Sequence, residues 1–112
     1  MSEITKYRGD TKPIKFILYE NQAAGIRLDI TSYSFKLTVD PSKAPVNSDN
    51  NLFTLTGVIT DASNGEVQFE PTSVQMDQTP ATYYFDFEIT DANGKTETAV
   101  LDKFKIVQDI TK

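Results

Sequence analysis

Two carboxylates, Asp86 and Glu88, stand two residues apart in the alternating stretch Tyr83-Tyr84-Phe85-Asp86-Phe87-Glu88-Ile89. On an extended strand such residues share a face and lie about 6.8 Å apart. That spacing is compatible with an acid/base carboxylate pair. A half-solvated sheet face produces the same pattern, and no cleft is legible around this one. A second oxygen-rich cluster is Asp61-Ala62-Ser63-Asn64-Gly65-Glu66. A calcium-binding hand needs oxygen ligands at alternate positions, Gly sixth and Glu twelfth. Counted from Asp61, Gly65 is fifth and the twelfth residue is Thr72, so a plain hairpin turn is expected. Arg8-Gly9-Asp10 matches an integrin-recognition tripeptide, which works only at a protruding tip. Here it precedes a strand directly, and the expected role of Gly9 is to let the chain turn.

What is missing narrows the chemistry further. The chain contains no His, which removes the commonest general base and metal ligand. It contains no Cys, so disulfides, thiolate metal sites and thiol nucleophiles are out of reach. Serine has no His to activate it, no Ser-x-x-Lys occurs, and no Gly-rich phosphate loop is present. No Asn-x-Ser/Thr sequon occurs either. The expectation is a protein that is not an enzyme, with no cofactor, no metal and no small-molecule substrate. Eleven basic residues against sixteen acidic ones give a net charge of −5 and a pI of about 4.6. That balance argues against nucleic acid and against an anionic membrane as partners. No run of about 18 apolar residues occurs. The opening Met1-Ser2-Glu3-Ile4-Thr5-Lys6 has no apolar h-region, so no secretory signal is expected.

These residues need a scaffold, and the alternation supplies one. A chain of 112 residues suits a single domain spanning 1-112. It buries roughly 65% of its unfolded surface on folding. Seven Phe and five Tyr, with no Trp, fill much of the core. Period-two stretches between Pro and Gly turn signals read as strands near 13–20, 26–30, 33–39, 52–60, 67–70, 82–90 and 95–107. Ile14, Phe16 and Leu18 share one face; so do Tyr33, Phe35, Leu37 and Val39. Both faces of 52–60 carry apolar residues, which leaves its register open. Leu101 and Phe104 have opposite parity, which predicts a bulge near Asp102. Thr72 to Gln78 reads as one helical turn capped by Thr72, with Val74 and Met76 at the core edge. Pro41 to Asn51 is the longest loop, read as a solvated loop or a partner-binding tip.

About seven short strands and at most one helical turn predict an all-β, immunoglobulin-like antiparallel two-sheet sandwich. Strand count alone leaves a small barrel open. Tyr83 opens the strongest strand just after the helical turn, where immunoglobulin-like folds place a tyrosine corner. The alternative is an ordinary half-buried Tyr.

Four ordered segments resemble the N-terminal domain of phage baseplate upper proteins. They are Arg8-Gly9-Asp10-Thr11-Lys12-Pro13-Ile14-Lys15-Phe16 with Leu28-Asp29-Ile30-Thr31-Ser32-Tyr33; Gly57 to Phe69; Thr82 to Asp91 with Gly94-Lys95; and Phe104 to Thr111. Ser32 stands where the family often has Gly, and the 41 to 51 loop has its own sequence. The resemblance implies a structural virion protein of a phage or prophage tail, assembled in the host cytoplasm. Such a domain docks on the tail core and anchors receptor-binding parts. It implies other tail and baseplate proteins as partners, an oligomeric assembly, and a longer chain of which this is the N-terminal domain. Docking would use a free sheet edge or an exposed aromatic patch, with Tyr19 and Tyr84 as candidates on the outward faces. The alternative function is a carbohydrate-binding or adhesive sandwich of a bacterial surface protein.

Overall fold

The computed structural model describes residues 3–42 and 51–108. Alternation turns into two facing sheets. The larger contains β1 (Ile4–Tyr7), β5 (Ser34–Asp40), β6 (Phe53–Thr56), β9 (Ala81–Thr90) and β10 (Thr96–Val107), in the order β1-β10-β9-β5-β6. The smaller contains β2 (Ile14–Ile17), β7 (Val58–Asp61) and β8 (Glu66–Phe69), in the order β2-β8-β7. A ribbon of β3 (Tyr19–Asn21) and β4 (Ile26–Arg27) stands apart from both. The one helix among the described residues is α1 (Ser73–Met76), which Thr72 and Gln75 close with a reciprocal capping box. The fold is a β-sandwich, as the alternation predicts.

The inward-facing residues of both sheets make one core. Phe35, Leu37, Val39, Phe85, Phe87, Phe104 and Ile106 come from the larger sheet; Ile14, Val67 and Phe69 come from the smaller. Phe87 bridges them. Its ring stacks on Phe16 at 4.5 Å and on Phe35 at 5.7 Å, and Phe69 meets it edge-on at 5.7 Å. Ile30 and Met76, both fully buried, complete the packing from the connections.

Several elements differ from the sequence reading, each for a physical reason. Among the described residues there are ten strands rather than about seven. β1 is extra, and it pairs parallel with β10, so the sandwich is not purely antiparallel. It offers one apolar inward residue, Ile4, which is too little periodicity to read. The stretch 52–60 divides at Gly57, where the chain leaves one sheet for the other. Its two apolar faces belong to two strands. A Cβ on Gly57 would lie 2.8 Å from Phe35 Cβ and 2.9 Å from Val67 Cγ2, so only Gly permits the sheets to approach here. The bulge in β10 falls between Thr98 and Val100, not near Asp102. The register runs from Leu101 opposite Asp86 to Phe104 opposite Tyr83 without a shift between them. Met76 is buried, but Val74 is 80% exposed and does not reach the core edge. Most of the Pro41 to Asn51 loop, residues 43–50, lies outside the described residues. Its base is fixed: the buried Asp40 carboxylate accepts from Ser42 N–H at 2.8 Å and from the Asn51 amide at 2.7 Å.

Two turns place a residue at positive φ. Gly65, at φ +67°, ends the β7–β8 hairpin. Its C=O accepts from Leu18 N–H at 2.9 Å, and Leu28 N–H donates to the Leu18 carbonyl at 3.1 Å. The turn Ile30 to Tyr33 is closed by Tyr33 N–H to Ile30 C=O at 3.0 Å. Its third residue, Ser32, has φ +68°, and among the described residues no other non-Gly position has a positive φ. That conformation costs an L-residue about 1–2 kcal/mol. Ser32→Gly should therefore raise stability by about 0.5–1 kcal/mol after the unfolded-state entropy of Gly is deducted. Chemical denaturation of Ser32→Gly beside Ser32→Ala checks this. A Ser32→Gly midpoint below that of Ser32→Ala by the full entropic cost of Gly would rule out strain at Ser32.

Candidate docking surface

Tyr83 faces inward and is 9% exposed. Its hydroxyl donates to the Thr79 carbonyl, four residues upstream. This bond ties the segment after α1 to the start of β9, as a tyrosine corner does. Tyr83→Phe removes the donor and leaves that carbonyl short of a partner, at a cost of about 1–2 kcal/mol. Thermal unfolding of the variant measures it, and an unchanged midpoint would show that water replaces the hydroxyl.

The two outward tyrosines belong to different sheets. Tyr84 is half-buried on the outer face of the larger sheet, between Asp40 on β5 and Lys103 on β10 in register. Tyr19 lies on the ribbon, with the Arg27 guanidinium 5.3 Å from its ring centroid. Arg27 also meets the Glu66 carboxylate at 3.4 Å and donates to the Asn64 carbonyl at 2.9 Å. Arg27 thus occupies one face of the Tyr19 ring. The structure does not bring Tyr19 and Tyr84 into one patch.

Asp86 and Glu88 face outward on β9, opposite Thr38 and Lys36 in register. Partial burial, then the neighbouring Glu88 charge, raises the Asp86 carboxyl above its ordinary value. A folded state that holds this proton more tightly is penalised above the raised pKa. The penalty fades as pH falls through it. Asp86→Asn should stabilise the domain at neutral pH by up to about 0.5 kcal/mol. The gain should shrink toward acid pH, which denaturation at two pH values would reveal; a gain that grew on acidification would reverse the sign. Asp61 behaves oppositely: the Asn64 side chain bonds it and lowers its pKa. With Asn64 and Ser63 bonded to it at 2.9 and 3.2 Å, its carboxylate serves the hairpin turn.

The Arg8-Gly9-Asp10 turn is spent on the crossing between sheets. Arg8 N–H donates to Val107 C=O at 2.7 Å, and Gly9 N–H donates to Met76 C=O at 3.0 Å. The Arg8 guanidinium pairs with Asp77 at 2.8 Å, and the Asp10 carboxylate accepts from Tyr7 N–H at 3.1 Å. Among the described residues no group of His, Cys, Asp or Glu is arranged to hold a metal ion. No helix among them is long and apolar enough to cross a membrane.

What the sequence did not reveal is an open end. The β9–β10 hairpin turns at Asp91 to Lys95, where Gly94 takes φ +80°. Beside it lies a groove of about 390 Å³ lined by Leu28, Tyr33, Ile89, Asp91, Lys95, Thr96 and Glu97. Glu97 pairs with Ile89 and so shares its inward-facing side. Among the described residues β1 pairs with β10 only from Phe104 to Val107, and no strand lies beside the first half of β10. The turn signal Asp91-Ala92-Asn93-Gly94 fixes the Glu97–Ile89 pairing. The short reach of β1 left no trace in the sequence.

In fold, this is a β-sandwich. Among solved structures it is similar to CopC from Methylosinus trichosporium OB3b, with a TM-score of 0.54 and 8% sequence identity over 100% of this chain and 90% of that one. At that identity the likeness establishes the shared fold alone. No protein-family model matches the chain, and no curated protein does.

Proposed function

We propose that this chain is a structural assembly domain of a phage or prophage tail, docking on the baseplate core and anchoring receptor-binding parts. The observation that carries the reading is Ser32. It stands where the resembled family often has Gly, and its φ of +68° is the conformation that favours Gly. A Gly-compatible turn at that point is what the resemblance requires of this chain. Supporting it, two of the resembling stretches meet, where Ile30 N–H donates to the Ala62 carbonyl at 2.9 Å. An acidic, His-free and Cys-free chain suits a protein that binds other proteins and does no chemistry. On this reading it is assembled in the host cytoplasm, becomes part of the virion, and is oligomeric there. The sugar-binding alternative gains nothing from Tyr19, because Arg27 takes one face on which a sugar ring would stack.

Immunogold electron microscopy tests the reading. Antibody to the domain is applied to particles induced from the source strain. Gold at the tail tip is the expected result. Unlabelled particles beside labelled cell envelopes would replace it with surface adhesion.

A further inference from the structure

We propose that the free half of β10, with the groove at its start, accepts an extended, lysine- or arginine-bearing segment of a partner protein as an added strand. This deepens the reading of the domain as a docking module and rests on it. Among the described residues no strand lies beside Thr96–Leu101, and Thr96 to Ala99 are all exposed. The direction of their backbone groups follows from the turn. Asp91 N–H donates to Lys95 C=O at 2.8 Å, which makes these two a hydrogen-bonded pair. Alternation along an antiparallel ladder then points the N–H and C=O of Glu97 toward Ile89. Those of Thr96 and Thr98 point outward. Beyond them, Lys103 N–H is already satisfied by the Asp102 carboxylate at 2.8 Å. A short row of outward donors and acceptors at two-residue spacing fits an extended chain.

The side chains select its charge. Leu28, Tyr33 and Ile89 give the groove an apolar floor, and Asp91 and Glu97 stand at its rim with Lys95. Asp91 spends Oδ1 on the N–H groups of Asn93 and Lys95, both at 2.9 Å. Its Oδ2, and the Glu97 carboxylate, carry no ion pair among the described residues. A Lys or Arg side chain fits this arrangement, with its methylenes on the floor and its cation at the carboxylates. Lys95 offsets part of that charge, so the attraction is weak and salt-sensitive. A second copy is a poor occupant. Edge-to-edge pairing would set Glu97 near its own counterpart and meet the bulge at Ala99, two devices that blunt edges against self-association.

The full chain, labelled with ¹⁵N, is titrated with a capped peptide of alternating Lys and Val, and separately with its Glu/Val counterpart. Saturable amide shifts at Thr96, Thr98 and Tyr33 are expected with the Lys/Val peptide. Affinity should fall at least about fivefold for the Glu/Val peptide and for Glu97→Lys. Thr98→Pro, which removes an outward donor and leaves the bonds to β9, should abolish the shifts at Thr96. Heteronuclear spectra of both variants establish that they remain folded. Absence of saturable shifts, shifts confined to β6, or equal affinity for the two peptides overturns the proposal. So do edge shifts that depend on protein concentration alone, which assign the edge to a second copy. Gold at the tail tip with no peptide response removes the β10 edge and leaves the assembly reading in place.

Discussion

Phe87→Ala lowers the unfolding free energy by about 3–5 kcal/mol. The ring is 3% exposed and touches three other rings drawn from both sheets. Removing it takes away the transfer free energy of a whole aromatic side chain. It also opens a cavity between Phe16, Phe35 and Phe69. Those rings sit on β2, β5 and β8, which are fixed by their own ladders, so the gap cannot close by moving one strand.

A domain of this size commonly holds 5–15 kcal/mol in total, so the loss consumes a large part of it. Urea unfolding of wild type and variant gives the value directly. The midpoint should fall sharply while the slope stays constant, because the same surface is exposed on unfolding. Phe53→Ala is the internal comparison. Phe53 is 8% exposed on the edge strand β6, and Phe104, 6.1 Å away, is its one ring neighbour among the described residues. Its loss should be clearly smaller. Equal losses would mean that the core tolerates a void at the sheet interface as easily as at its margin. That would remove Phe87 from the centre of the packing.

The contrast between these residues tracks what the sequence exposes. Strict alternation over Tyr83 to Ile89 and Tyr33 to Val39 predicts the central strands and their inward faces, because a period of two survives any tertiary arrangement. Asn64-Gly65 and Asn93-Gly94 predict the β7–β8 and β9–β10 turns for the same local reason. The strand that divides at Gly57 is legible only as an ambiguity. Its two apolar faces are plain in the sequence, but the sheet each serves depends on Phe35 and Val67, which are distant in the chain. Ser32 shows the same limit: nothing local marks it as left-handed, and the turn back to Ile30 imposes it. The candidate docking edge is the least legible of all. It exists because β1 stops short along β10, and strand pairing between the two ends of a chain has no local signature.

Gly65→Ala tests a constraint of a different kind from the core. At φ +67° an alanine bears the left-handed cost of about 1–2 kcal/mol. Its Cβ would also lie 2.5 Å from the Leu18 carbonyl oxygen and 2.7 Å from that of Leu28. Both obstacles are backbone and cannot rotate aside. Leu18 O is held by the bond from Leu28 N–H, and Gly65 by the bond from Leu18 N–H. Relief therefore requires at least one of these bonds to break, and the total loss should reach about 3 kcal/mol or more. Gly25→Ala isolates the conformational part. Gly25 has φ +71°, and a Cβ there meets nothing within 4 Å. It should cost only about 1–2 kcal/mol. The difference between the two variants, read from urea midpoints, is the contribution of close backbone approach where β2, β4 and the β7–β8 hairpin meet. Amide shifts confined to Leu18, Leu28 and Ile30 in Gly65→Ala would locate the damage at that junction. Identical losses in the two variants would mean that the junction yields freely, and Gly65 would then be required only for its turn.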